Sequence, residues 1–163
     1  MKVFHTLDPI YDKNSKVLIL GSMPSVKSRE LGFYYAHPRN RFWSTLEKIY
    51  NEKINNTKED KINFLIKHNI ALFDVLKSCE INSSSDSSIK NPIPNDLTDI
   101  LNNSNIKVIF TTGNKANDLY NKYLKDKTGI EAILLPSTSP ANSPKGIEEK
   151  LLNSYSEIKK YTN

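Results

Sequence analysis

Apolar residues in this chain fall into two patterns, short unbroken runs and longer stretches at helical spacing. The run "VLIL" (17–20) is continuous and ends at Gly21, which predicts a buried strand with a turn at its carboxyl end. In "NRFWSTLEKIY", Phe42, Trp43, Leu46, Ile49 and Tyr50 recur at helical spacing, with Asn40 where an N-cap would stand. "KEDKINFLIKHN" (58–69) predicts a further amphipathic helix, and "IALFDVL" (70–76) a second strand. The stretch "KSCEINSSSDSSIKNPIPND" is rich in Ser, Asn and Pro and predicts a long loop, followed by a short helix in "DLTDILNNS". "KVIFTT" (107–112) predicts a third strand, followed by Gly113 and the helix "NKANDLYNKYLKD". "IEAILLP" (130–136) predicts a fourth strand, and a closing helix runs from about Ile147 to Tyr161.

Strands alternate with helices, and each strand is apolar throughout. That pattern belongs to a parallel sheet covered on both faces. The expectation is one α/β domain over 1–163, a three-layer α/β/α sandwich around a four-stranded, mostly parallel sheet. In such sheets a ligand crevice lies beyond the carboxyl ends of the strands. The loops "GSMPS", "TTGNKA" and "PSTSPANSP" leave strand ends and are expected to meet at that edge.

Composition narrows the chemistry. The 163 residues suit one compact domain, and 37% hydrophobic with 25% charged residues is the balance of a folded chain. A formal net charge of +5 favours an acidic partner, nucleic acid first. The single cysteine, Cys79, has no internal disulfide partner and is expected to be a buried small apolar residue. No Cys/His spacing resembles a metal site, so no metal is expected, and with no nucleotide-binding glycine motif in the chain no cofactor is expected either. The stretch "MKVFHTLDPIYD" is too poor in apolar residues for a signal peptide, and no apolar run approaches a membrane span. A reduced, cytoplasmic setting with no membrane contact is the expectation.

The turn after the first strand lacks the spacing of a phosphate loop, and neither GxGxxG nor GxSxG occurs. The candidate chemistry lies in "FYYAHPRNRFW" (33–43). Phe33, Tyr34 and Tyr35 offer flat faces on which a base can stack. Arg29, Arg39 and Arg41 can contact phosphates, as can the backbone amides of the turn that contains Ser22, Pro24 and Ser25. The amide of Asn40 offers a donor and an acceptor, to water or to a base edge. The plainer readings are that Phe42 and Trp43 are core, Arg41 a solvated face and Asn40 a helix cap. His37 can equally contact a ligand or be structural. Asp74 ends a strand and can either point into the crevice or cap a helix; Asp86 is a second unassigned carboxylate.

"LILGSMPS…GFYYAHPRNRFW" resembles the first motif of the uracil-DNA glycosylase superfamily, whose mismatch-specific branch carries a GINPG turn and then G-F-x-F-A-H-P-x-N-R-F-W. "VIFTTGNKA" is similar to that family's third strand and the start of its next helix, and "LLPSTSPANS" to its second motif. The similarity spans about Val17 to Asn142, with the hypoxanthine-DNA glycosylase branch nearest in pattern. The resemblance implies an enzyme that flips a deaminated base out of DNA and hydrolyses its bond to the sugar, starting base-excision repair; the lack of a positioned lysine nucleophile in any motif points to a monofunctional one. Hypoxanthine is the first expected base, with uracil or xanthine next. The implied partner is DNA, double-stranded first and single-stranded as the second option, and the implied state is a monomer.

The site residues follow from the same resemblance. Met23 stands where the mismatch-specific branch has a catalytic Asn, and the catalytic role passes to Asn40, as in the hypoxanthine branch. Tyr35 falls on the stacking aromatic. Ser22, Met23, His37, Thr112 and Asn114 are the expected base-binding residues; Thr112 stands where several members have a base-reading Asn. Pro24, Ser25, Arg39, Ser137 and Ser139 are expected on the DNA backbone, and Pro140, Ala141 and Asn142 form the expected minor-groove wedge. Two other readings remain: a relative that binds DNA without this activity, for which Met23 and Thr112 speak, and a small α/β hydrolase acting on nucleosides.

Overall fold

The structure, a computed structural model, describes residues 1–82 and 88–163. Its main sheet is four-stranded and wholly parallel, built from β2 (Val17–Gly21), β3 (Ile70–Asp74), β6 (Val108–Thr112) and β7 (Ala132–Leu135) in the order β3-β2-β6-β7. The strand run 17–20 is fully buried, as a central strand covered on both faces must be. From β2 the chain crosses one way to β3, and from β6 the other way to β7. Right-handed crossovers therefore put the intervening helices on opposite faces, which gives the expected three layers. The point where the crossovers diverge lies between β2 and β6, where a crevice opens beyond the strand ends.

The helices before β3 are α1 (Val26–Leu31), α2 (Phe42–Tyr50) and α3 (Lys58–Lys67). Thr57 caps α3 by accepting the amide of Asp60, and α3 packs on β3. A short α4 (Thr98–Asn102) precedes β6. Helix α5 (Asn114–Tyr123) packs on β6 and β7. The expected helix 114–126 is interrupted at Leu124, and α6 (Lys125–Thr128) follows it. The closing helix divides likewise into α7 (Ile147–Tyr155), a 3-10 turn over 156–158 and α8 (Lys159–Thr162). Helix α7 lies on α2, where Phe42 meets the edge of Tyr155 at 6.4 Å. The Tyr155 hydroxyl donates to Pro136 O at 2.8 Å and so ties α7 to the loop after β7.

The long loop expected over 77–96 is a correction. Its described parts form β4 (Leu76–Glu80) and β5 (Lys90–Pro94), which with β1 (Lys2–Phe4) make an antiparallel sheet in the order β1-β4-β5. Ser, Asn and Pro have low strand preference, and the pairing of β4 with β1 and of β5 with β4 overrides it. Pro92 and Pro94 fit because β5 is an edge strand, where a missing N–H is tolerated. Nothing in the sequence pattern marked β1 or α1 either. Asp86 lies outside the described residues. Cys79 is buried in β4, as expected.

The run 70–76 is likewise not one strand. It leaves the main sheet at Asp74 and enters the small sheet at Leu76, and buried Asn95 fastens that bend. The Asn95 side-chain amide donates to Asp74 O at 2.9 Å and to Leu76 O at 3.0 Å, while its backbone N–H donates to Val75 O at 2.7 Å. Asn95→Ala removes both side-chain donors from buried carbonyls. The expected loss is roughly 2–3 kcal/mol of stability, measured by urea unfolding.

Candidate functional site

Register brings the site together. Gly21 of β2 is paired with Asp74 of β3, and Leu20 with Thr111 of β6. Asp74, Gly21 and Thr112 therefore stand side by side where the three strands end. They floor a cleft of about 480 Å³. Its walls are the turn from Ser22 to Ser28, the aromatic loop through Tyr35, His37 and Asn40, and the loop 137–141. All three loops expected at this edge reach it, although "TTGNKA" contributes only Thr112.

Gly21 is required by space. A Cβ there would stand 2.6 Å from Asp74 Oδ1, 3.2 Å from the Tyr35 hydroxyl and 3.5 Å from Thr112 Oγ1. Three polar side chains thus converge over one backbone position. Thr112 donates to Leu20 O at 3.4 Å, which leaves its oxygen to accept from the Tyr35 hydroxyl at 3.2 Å. Tyr35 is held in the left-handed region (φ 52°), a conformation that costs an aromatic residue roughly 1–3 kcal/mol. One face of its ring is stacked on Phe42, with centroids 4.0 Å apart and planes 12° from parallel. Asp74 is 3% exposed and its Oδ2 lies 2.8 Å from His5 Nε2. The His5 ring packs edge-on against Phe73 at 4.9 Å. The Tyr34 hydroxyl donates to Asp8 O, and burial first, then the charge of Asp74, pushes its pKa far above the usual phenol range.

Most of the aromatic stretch is architecture. Phe33 and Tyr34, expected as stacking faces, are buried at 7% and 3% exposure; Tyr34 still borders the cleft, whereas Phe33 lies outside its lining. Phe33 stacks on Trp43, and Lys61 lies 5.1 Å over the Trp43 ring and 5.9 Å over that of Phe33. The indole N–H of Trp43 donates to Tyr34 O at 3.1 Å. Phe42 and Trp43 are core, as their spacing predicts. Asn40 caps α2 from one position earlier than expected: Arg41 is the boundary residue, and Asn40 Oδ1 accepts the Phe42 N–H at 2.9 Å. That bond orients the amide, since only its oxygen can face a donor.

Arg41 is not merely a solvated face: it is half-buried and its partners lie in the loop after β7. Its backbone N–H donates to Thr138 O at 3.0 Å, and its guanidinium to Asn142 O at 3.3 Å and Ser143 Oγ at 3.0 Å. It clamps the 137–143 loop against the start of α2. Within that loop Ser137 Oγ accepts the Ser139 N–H, Ser139 Oγ accepts the Ala141 N–H, and the Asn142 amide donates to Ser137 O. Ser137, Ser139, Pro140 and Ala141 line the cleft; the Asn142 side chain is folded back toward a neighbouring groove.

The other expected residues divide. Ser22, Met23, Pro24 and Ser25 line the cleft, with Ser25 also capping α1 by accepting the Ser28 N–H. His37 lines it too, and its Nδ1 accepts the Arg39 N–H at 3.0 Å, which places the proton of a neutral ring on Nε2. Arg39 is exposed and outside the cleft lining, and Asn114 lines the neighbouring groove instead. Arg29 is half-buried in α1, with its Nε among buried protein atoms. His5 and Asn95 escaped sequence reading. Neither sits in a motif, and what marks them is contact across about 70 and 20 residues of chain.

Comparison with known proteins agrees with this geometry. The sequence model of the Uracil DNA glycosylase superfamily matches residues 9–158. A protein of Methanosarcina barkeri named "Hypoxanthine DNA glycosylase" is 32% identical over 136 residues, 82% of this chain and 85% of the relative. One of the same name from Methanosarcina acetivorans is 34% identical over 135 residues, 82% of this chain and 84% of the relative. A solution NMR structure from Methanosarcina acetivorans, of a protein provisionally assigned as a uracil DNA glycosylase, superimposes with a TM-score of 0.80 at 30% identity, covering 97% of this chain and 99% of that one. With its motifs gathered around one cleft at the sheet's switch point and this extent of match, the chain belongs to the uracil DNA glycosylase superfamily.

Proposed function

We propose that this protein is a monofunctional DNA glycosylase that removes a deaminated base, hypoxanthine first, and leaves an abasic site. The observation that carries the reading is the cleft itself: the residues of both motifs line one pocket, in a chain about one-third identical to relatives named for hypoxanthine excision. The cleft floor is polar and buried, and its rim is built from turns rich in Ser and Pro, with Lys27 beside it. A flipped base enters edge-first, and the rim meets the backbone.

The bond to be broken develops positive charge on the sugar and negative charge on the base. Asn40 positions the attacking water. Its Oδ1 has a second lone pair beyond the one used by Phe42, and its Nδ2 has no partner among the described residues. A neutral amide is a poor general base, so catalysis rests on placement and on stabilising the leaving group. His37 supplies an N–H at Nε2 to the departing base. Tyr35, stacked on Phe42 on one side, supports the base on the other. Asp74 accepts the N–H that hypoxanthine, uracil and xanthine all carry beside a carbonyl. Adenine and cytosine present a lone pair there and meet a carboxylate unfavourably.

Duplexes carrying a single deoxyinosine, deoxyuridine or deoxyxanthosine test the reaction. Strand breaks are expected at deoxyinosine only after alkali; breaks without alkali would refute the monofunctional assignment. Retained binding with no cut at any of the three would instead support a DNA-binding relative marked by Met23 and Thr112. Binding to duplex DNA is expected to weaken about 10- to 100-fold between about 50 and about 200 mM salt, as two to four phosphate contacts require. Asn40→Ala is expected to lower single-turnover excision by about 100-fold or more. It is also expected to cost about 1 kcal/mol of stability, through loss of the Phe42 cap. Asn40→Asp keeps the cap acceptor and separates the two effects: stability near wild type, excision still impaired.

A further inference from the structure

We propose that His5, delivered by the N-terminal strand, is a positioning residue for base selection. It acts by fixing the Asp74 carboxylate with one oxygen toward the cleft. The inference rests on the reading of Asp74 given above.

The geometry is specific. His5 follows directly on β1, whose pairing sets Phe4 opposite Ser78, and the His5 N–H continues that edge by donating to Lys77 O at 2.8 Å. The side chain is 3% exposed and packs against Phe73 and Tyr34. Only Nε2 reaches Asp74, at Oδ2. The other carboxylate oxygen, Oδ1, is the one that hangs over Gly21 beside Tyr35 and Thr112. The two oxygens thus have different partners, one a ring nitrogen behind the floor and the other the cleft.

Two consequences follow from that division. Without the bond to Oδ2, rotation about the Cβ–Cγ bond would let either oxygen, at any tilt, face a base edge; with it, one acceptor direction is fixed. The bond also draws charge from the carboxylate. That matters because the departing base gains negative charge, and an undamped anion at its edge would oppose departure. His5 Nε2 donates in either protonation state, provided the neutral ring carries its proton there. A base with an N–H at the contacted edge is then favoured over one lacking it. The N-terminal strand and the small sheet acquire a purpose in the reaction, since they exist at the place that carries His5 to the floor.

The test uses single-turnover excision from the full-length protein with two substrates in otherwise identical duplexes, deoxyinosine and purine 2′-deoxyriboside. The second lacks both the N–H and its neighbouring carbonyl. The ratio of the two rates is the readout. It is insensitive to the folded fraction, and the difference in leaving-group chemistry cancels between variants. Wild type is expected to favour deoxyinosine. His5→Leu is expected to shrink that preference about tenfold or more, and His5→Gln, whose side-chain amide can donate from the same place, to restore it to within about threefold of wild type. Asp74→Ala is the control and is expected to shrink the preference at least as far as His5→Leu.

A preference that His5→Leu leaves unchanged while Asp74→Ala abolishes it overturns the role of His5 and leaves the reading of Asp74 standing. So does a fall of both rates together in His5→Leu alongside a lowered Tm, because that is what a purely structural residue would do. A preference that neither variant alters, in an active wild type, removes Asp74 from base reading and His5 with it. An inactive wild type refutes the proposed function itself.

Discussion

The register in which β2 lies between β3 and β6 is the constraint on which the rest of the molecule depends. It sets Gly21 against Asp74 and next to Thr112. It also makes the missing side chain of Gly21 the space into which Asp74 Oδ1 projects, 2.6 Å from where a Cβ would stand. A slip of one residue would turn the carboxylate to the other face of the sheet. The flanking structure serves to hold this register. Ile10 pairs with Leu72 along the outer edge of β3, Asn95 fastens the chain as it leaves β3, and Val75 and Leu76 donate back to Gly21 O and Ser22 O.

The dense aromatic loop has a divided role. Phe33, Tyr34, Phe42 and Trp43 bury their rings, and Lys61 lies over two of them. Tyr35 alone of the three consecutive aromatics 33–35 combines a left-handed backbone with a ring at the cleft and a hydroxyl on Thr112. Such local strain survives only where the surroundings over-determine it, and here the Phe42 stack and the hydroxyl contact do so. Arg41 completes the frame by joining the two motifs. Its bonds to the 138–143 loop explain how a Ser- and Pro-rich segment is held at one wall of the cleft.

This division bears on the chemistry. With Met at position 23, the turn after β2 contributes shape and backbone amides but no polar side chain at that point. The polar groups at hand come from elsewhere: an amide oriented by its own helix, a histidine with its proton placed by the turn it sits in, and a carboxylate held from behind. Each is held by a bond on the side away from the cleft, which is how a site that lacks a strong base can still be preorganised.

Much of this was legible in the chain itself. The apolar runs located all four strands of the main sheet, and their spacing by helices determined parallel pairing, because a parallel neighbour needs a crossover. The motif residues announced a cleft at the strand ends and named most of its lining. The small sheet was not legible, since β5, with its Asn and Pro residues, is a strand only by pairing with β4, and β4 in turn pairs with β1 from the far end of the chain. Nor was the fate of the individual motif side chains: spacing cannot say whether Arg41 meets a phosphate or a carbonyl, or whether Tyr34 meets a base or the core. Above all, His5 and Asp74 are 69 positions apart, and no local pattern links them. Sequence alone determined which segments are buried and therefore that the main sheet is parallel and covered on both faces. Tertiary structure decided which polar groups share the cleft floor, because that depends on strand register and on contacts between residues remote in the chain.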